Sequence, residues 1–262
     1  MPLPPPDANS PDLTDRVVLI TGAAGGLGHA ISMACAKAGA TVVLHGRVVR
    51  KLEALFDEIV DNGAPEPIIA PMDFAKAEAE DFANVASALE SQVGRLDAVV
   101  HTAVQLGTLS PLEHQSFDLW LSGLRINVAA PMGLTRALLR LLAKSNDASV
   151  TFTLDTRGQE PHAYWGSYAV AKAGLNALTT ILADEWETRE NLRVNAIVPG
   201  PIRSPLRTQT HPGEERNALV PPEALVPLYL HLVSGQVKNE SGSRIDAQAW
   251  LAGEPSVTSL LP

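Results

Sequence analysis

The sequence predicts one α/β domain, a doubly wound sheet of about seven parallel strands with helices on both faces. Three observations carry that expectation. Short β-branched runs alternate with longer stretches of helical period along nearly the whole chain. The 262 residues are 45% hydrophobic and only 19% charged, enough apolar material for one large core, with no break in composition to divide it. A glycine-rich stretch from Gly22 to Gly28 follows the first β-branched run directly and opens a helical one, at the sheet edge where such folds take ligands.

The elements follow in order. Five prolines in the first eleven residues make 1–12 an extended, mobile arm, and the domain fills 13–262. The arm has neither the positive start nor the apolar core of a signal peptide. Strands are expected at 17–21, 41–45, 67–72, 98–102, 149–154, 193–198 and 243–246. Helices are expected at 29–38, 49–62, 75–93, 115–143, 165–188 and 222–233. The longest insert without period, 199–221, reads as a lid at a strand end. Its Arg203, Arg207, His211 and Arg216 suit an anionic substrate as readily as they suit solvent.

Charge and cysteine content exclude several classes. Asp and Glu number 29 against 20 Lys and Arg, a net of -9, and Arg47, Arg50 and Lys51 form the only basic cluster, which argues against a nucleic-acid surface. The single Cys35 cannot form an internal disulfide, and no apolar run reaches the roughly 18 residues of a membrane span. A soluble cytoplasmic protein with a small-molecule substrate is the expectation.

The glycines fall where a strand turns into a helix, and backbone amides at a helix N-terminus bind phosphate without a charged side chain. The spacing Thr-Gly-x-x-x-Gly-x-Gly, spanning Thr21, Gly22, Gly26, Leu27 and Gly28, resembles the short-chain dehydrogenase/reductase family and its Rossmann-type nucleotide fold. The resemblance runs from about residue 13 to 250. It implies a nicotinamide cofactor on that turn, with Asp73 at the adenine and Phe74 and Ala103 also at the cofactor. Asp73 alone would equally cap the following helix. After the second strand, Gly46 stands where NAD-preferring members carry an acid, and the planar fork of Arg47 suits a phosphate, so NADP(H) is preferred over NAD(H).

Tyr168 and Lys172 stand four residues apart, one turn along the same helix face. A free phenol titrates near pH ~10, so neighbouring positive charge is needed before it exchanges protons near neutrality. The resemblance makes Tyr168 the acid or base toward a carbonyl or secondary alcohol, and Lys172 the group that lowers its pKa. It also implies that Asn127 holds a water beside Lys172, and that the turn of Pro199, Gly200, Ile202 and Ser204 meets the carboxamide and phosphates. Helices 115–143 and 165–188 resemble those through which the family forms homodimers or homotetramers.

Three positions depart from the family pattern. A serine is expected thirteen residues before the tyrosine, and Asp155 occupies that position. An ionised Asp155 opposes a developing oxyanion and raises the pKa of Tyr168. It stays protonated, or turns away while Thr156 supplies a hydroxyl, or recognises a cationic or hydroxylated substrate, or reductase chemistry is lost. Val104 replaces a glycine after the fourth strand, which narrows the site or shifts its loop. Asp246-Ala-Gln248 replaces Asp-Gly-Gly, which reads as a matter of assembly more than of chemistry. Three functions therefore stand open: an oxidoreductase, an NADP(H)-binding sensor with little catalysis, and dehydration or epimerisation on the same fold.

Overall fold

The computed structural model describes residues 3–6, 8–235 and 240–261. It contains one sheet whose strands are β1 (Val17–Thr21), β2 (Thr41–Gly46), β3 (Ile68–Pro71), β4 (Ala98–His101), β5 (Ala148–Thr153), β6 (Leu192–Val198), β7 (Ser243–Asp246) and β8 (Val257–Ser259). Their order is β3-β2-β1-β4-β5-β6-β7-β8. The first seven pair in parallel, and β8 returns antiparallel along β7. The seven expected strands all form. The eighth, only three residues long and largely exposed, carries no alternation long enough to read.

β1 and β5 are buried along their whole length, as a parallel sheet covered on both faces requires. Val17, Leu19 and Val43 face one apolar core with Leu134, Leu138 and Leu175, while Val18, Ile20 and Val42 face the other with Ile31, Leu228 and Trp250. The helices are α1 (Gly26–Lys37), α2 (Val49–Asp61), α3 (Ala79–Val93), α4 (Phe117–Leu124), α5 (Ala130–Leu142), α6 (Gly166–Glu185), α7 (Pro205–Thr210), α8 (Val226–Val233) and α9 (Ala247–Leu251), of which all but α4 and α7 supply apolar side chains to these cores.

Two helices differ instructively from expectation. α3 begins four residues later than the pattern implies, because the Asp73 carboxylate accepts the Ala75 N–H at 3.1 Å and the Asp81 carboxylate accepts the Glu78 N–H at 2.8 Å. The long helix expected over 115–143 is interrupted by a π-turn at Arg125–Ala129 between α4 and α5. Such a turn adds a residue to one helical repeat and redirects the side chain it carries.

At the sheet's opposite edge, buried Arg193 forks onto Asp147 with contacts of 2.8 and 2.9 Å, and Arg16 donates to the carbonyls of Asp97 and Asp147. That cluster ties the starts of β1, β4, β5 and β6 together, far from the glycine turn. The described part of the arm lies against the body: Leu3 packs on the second core and the Pro4 carbonyl accepts the Trp250 indole N–H at 2.7 Å.

Candidate active site

β1 ends at Thr21, which is fully buried. Its hydroxyl oxygen accepts the N–H groups of Thr102 and Ala103 at 3.1 and 3.2 Å, and the Thr102 hydroxyl donates to the Thr21 carbonyl at 2.5 Å. This clasp sets the ends of β1 and β4 side by side. The glycine turn then runs into α1, whose first turn carries no acidic residue. Gly28 lies so close beneath the turn that a Cβ would overlap the Gly22 carbonyl oxygen, so the helix N-terminus presents backbone alone.

The turn opens into a cleft of about 610 Å³. One end is lined by Gly22, Gly26, Leu27, Gly28 and Arg47, the other by Asp155, Tyr168 and Lys172, with Pro199, Gly200, Ile202 and Ser204 along the wall between. Thr21, Asp73, Phe74, Ala103 and Asn127 lie outside this lining. Asp73 caps its own turn, and buried Phe74 stacks 4.5 Å from the His45 ring. Val104 lines the cleft and remains 40% exposed, so its side chain narrows the space instead of filling the core.

At the reactive end, Tyr168 and Lys172 project from α6 as their spacing implies, and both are buried. The Tyr168 hydroxyl donates to Asp155 Oδ2 at 2.8 Å, while Asp155 Oδ1 accepts the Arg157 N–H at 2.8 Å and the Thr156 hydroxyl at 3.4 Å. Asp155 thus caps the short turn Thr156–Gly158 after β5 and turns its second oxygen onto the phenol. Burial pushes the Tyr168 pKa well above its ordinary value near 10, and the Asp155 charge and hydrogen bond push it further. Lys172 donates to the Thr153 carbonyl at 2.7 Å and lies 5.8 Å from the Tyr168 ring. Burial pulls its pKa down to about 8, with Asp155 acting in the opposite direction. The phenol is therefore held protonated, able to donate a proton but unsuited to removing one near neutral pH.

Three further features were not read from the sequence. The π-turn directs buried Asn127 onto the loop after β4, where its amide oxygen accepts the Gln105 N–H at 2.8 Å and its nitrogen donates to the Gln105 carbonyl at 2.7 Å. Arg157 lies 5.1 Å over the Trp165 ring, which in turn lies 5.7 Å from Tyr168. The lid is ordered around α7: the Ser204 hydroxyl caps it through the Arg207 N–H at 3.1 Å, and Arg207 forks onto Glu214 at 2.5 and 2.7 Å. Arg207 lines the cleft, but its charge is met by Glu214. The signal for the fork was present as Arg207 and Glu214 seven residues apart, too distant in sequence to pair without the turn at 211–214.

A glycine turn after β1 and a Tyr-Lys pair on α6, around a sheet whose first seven strands are parallel, define the class, and residues 16–215 match the short chain dehydrogenase family. The chain belongs to that family. It is 36% identical over 236 residues to the uncharacterised oxidoreductase YciK of Escherichia coli K12, covering 90% of this chain and 93% of that protein. A short chain dehydrogenase structure from Pseudomonas syringae matches with a TM-score of 0.90 at 37% identity, covering 94% of this chain and all of that one (100%). A Shigella flexneri 2a short chain dehydrogenase complexed with NADP matches with a TM-score of 0.88 at 35% identity, covering 92% of this chain and 100% of that one.

Proposed function

We propose that the protein is an NADP(H)-dependent oxidoreductase acting on a carbonyl or secondary alcohol, with Tyr168 as the proton-handling group. The observation that carries the reading is the single cleft joining the bare helix N-terminus of α1, Arg47, and the Tyr168 and Lys172 pair. Its residues fit a dinucleotide: backbone without side chains for the pyrophosphate, and a guanidinium after β2 for a 2′-phosphate. The NADP-complexed Shigella relative supports the same choice. Gly22, Gly26, Leu27, Gly28, Arg47, Ile202 and Ser204 would hold the cofactor, which when bound supplies or accepts a hydride.

The chain's own part is proton handling and orientation. Tyr168, kept as phenol by burial and Asp155, is poised to give its proton to a substrate oxygen after releasing Asp155 Oδ2. Lys172, buried on the Thr153 carbonyl, provides positive charge below about pH 8 to steady the phenolate that remains. Asn127 fixes the loop carrying Val104 and Gln105 against the cleft. Asp155 accepts the Tyr168 and Arg157 hydrogen bonds at the position where a hydroxyl would otherwise meet the substrate oxygen.

One observation favours a second reading, an NADP(H)-binding sensor: the hydrogen bond from Tyr168 to Asp155 occupies the group that chemistry needs. An NADPH oxidation assay over aldehydes and ketones, with a Tyr168→Phe control, separates them. Turnover lost in the Phe variant with cofactor binding retained supports the enzyme. Cofactor binding without turnover in either protein supports the sensor. We further assign the protein to the cytoplasm, on its single cysteine, and to a homodimer or homotetramer, on the resemblance of the 115–143 stretch (α4 and α5) and of α6 to the family's pairing helices.

A further inference from the structure

The wall of the cleft is held from behind. β6 ends at Val198 and the chain turns at Pro199 and Gly200, where Gly200 has a φ of +67°. The Gln248 side chain packs against that turn: its amide nitrogen donates to the Pro199 carbonyl at 2.7 Å, and a Cβ on Gly200 would overlap its Cγ. Gln248 is outside the cleft lining, whereas Pro199, Gly200, Pro201 and Ile202 are in it. Its direction is set by α9, whose N-terminus is capped by Asp246 accepting the N–H groups of Gln248 and Ala249 at 2.9 and 3.1 Å. Two residues on, Trp250 donates its indole N–H to the Pro4 carbonyl at 2.7 Å, and Leu3 packs on the core that Trp250 joins. The substitution of Gln248 for a glycine, expected to concern assembly, instead reaches the cleft wall.

We infer that Gln248 is a positioning residue for the cofactor, and that the N-terminal arm, through Pro4 and Trp250, latches the helix carrying it. The inference rests on the NADP(H) reading above. A glycine-bearing turn with φ in the left-handed region has several backbone states open to it. Gln248 selects one by holding the carbonyl on the side away from the cleft, which leaves the next residues, through Ile202, facing inward. The turn it holds follows β6, beside β5 and its Asp155 and four strands away from β2 and Arg47, before the wall runs on to Pro205 next to Gly26, so the two halves of the dinucleotide should respond differently.

The test titrates the full chain with NADPH and with adenosine 2′,5′-bisphosphate, which carries the phosphate-bearing adenosine half and no nicotinamide. Gln248→Glu keeps the length but loses the donor; Gln248→Ala removes the contact; Trp250→Phe keeps an aromatic ring without the N–H. Loss of one hydrogen bond should weaken NADPH about tenfold in both Gln248 variants and about threefold in Trp250→Phe, with the bisphosphate within about twofold of wild type throughout. Equal weakening of both ligands, or unchanged NADPH affinity in the Gln248 variants or in Trp250→Phe, overturns the latch. If wild type binds both ligands, such a result removes the latch alone; if wild type binds neither, the NADP(H) reading falls with it.

Discussion

Replacing Asp155 by serine removes two of the three causes that keep the Tyr168 phenol protonated, the carboxylate's charge and its hydrogen bond, and leaves burial. The Tyr168 titration, followed by ultraviolet absorbance against a Tyr168→Phe blank, should move down by at least about one unit, each unit corresponding to about 1.4 kcal/mol. An unchanged or higher value contradicts the role given to Asp155. Lys172 offers an independent check through stability. Its folded pKa of about 8 lies below the ordinary 10.5, so between those values the unfolded chain binds the proton that the folded one has released. The burial penalty is complete below about pH 8 and relieved as pH rises toward 10.5. Wild type should therefore gain stability relative to Lys172→Met as pH rises from 8 to 10 in thermal melts; a falling difference contradicts the assignment. At this scale the sequence was generous with identities and poor in geometry. The residue identities Tyr168 and Lys172 and the Asp155 departure could be read from the sequence, but none of the arrangements left open for Asp155 had it bond the phenol, because a single capping bond to the Arg157 N–H decides which way the carboxylate faces.

The element that most shapes the site is the π-turn between α4 and α5. It places Asn127 as a two-way hydrogen-bonding partner for the backbone of Gln105, replacing a strand neighbour where β4 has ended. Asn127→Ala leaves two half-buried backbone groups of Gln105 unpaired, at a cost of about 1 kcal/mol, and should lower the melting temperature by a few degrees while loosening the Val104 loop. A melt identical to wild type contradicts this. Periodicity cannot reveal such a turn, since an inserted residue shifts the apolar stripe by less than its own width. The same limit hid α7 and α9, which are short and owe their starts to the side-chain caps of Ser204 and Asp246. The strands were readable because a sheet buried on both faces demands continuous apolar runs.

Across the whole molecule, function and stability sit at opposite ends of the strands. The Arg193 and Asp147 fork closes the amino-terminal edge, and the cleft occupies the carboxyl edge. On the outside of the molecule two large apolar side chains are exposed, Phe117 at the start of α4 (72%) and Val170 on α6 (51%). If the chain pairs with copies of itself through α4 and α6, Phe117→Asp together with Val170→Asp should convert a dimer or tetramer to monomer in analytical ultracentrifugation. A wild-type monomer, or an unchanged assembly in the variant, contradicts that interface. Among the described residues no helix is long and apolar enough to cross a membrane, and the one cysteine, Cys35, is buried with its thiol pushed up to about 12.

The proposed function depends on cofactor binding, and Arg47 is the residue on which the choice of cofactor turns. Titration of the purified protein with NADPH and NADH, followed by nicotinamide fluorescence in wild type and in Arg47→Ala, tests it most directly. NADPH should bind at least about tenfold more tightly than NADH, and Arg47→Ala should erase most of that margin, as loss of a charge-assisted bond of about 1.5 to 3 kcal/mol requires. Equal affinity for the two nucleotides in wild type, or no binding of either, would contradict the reading of the cleft.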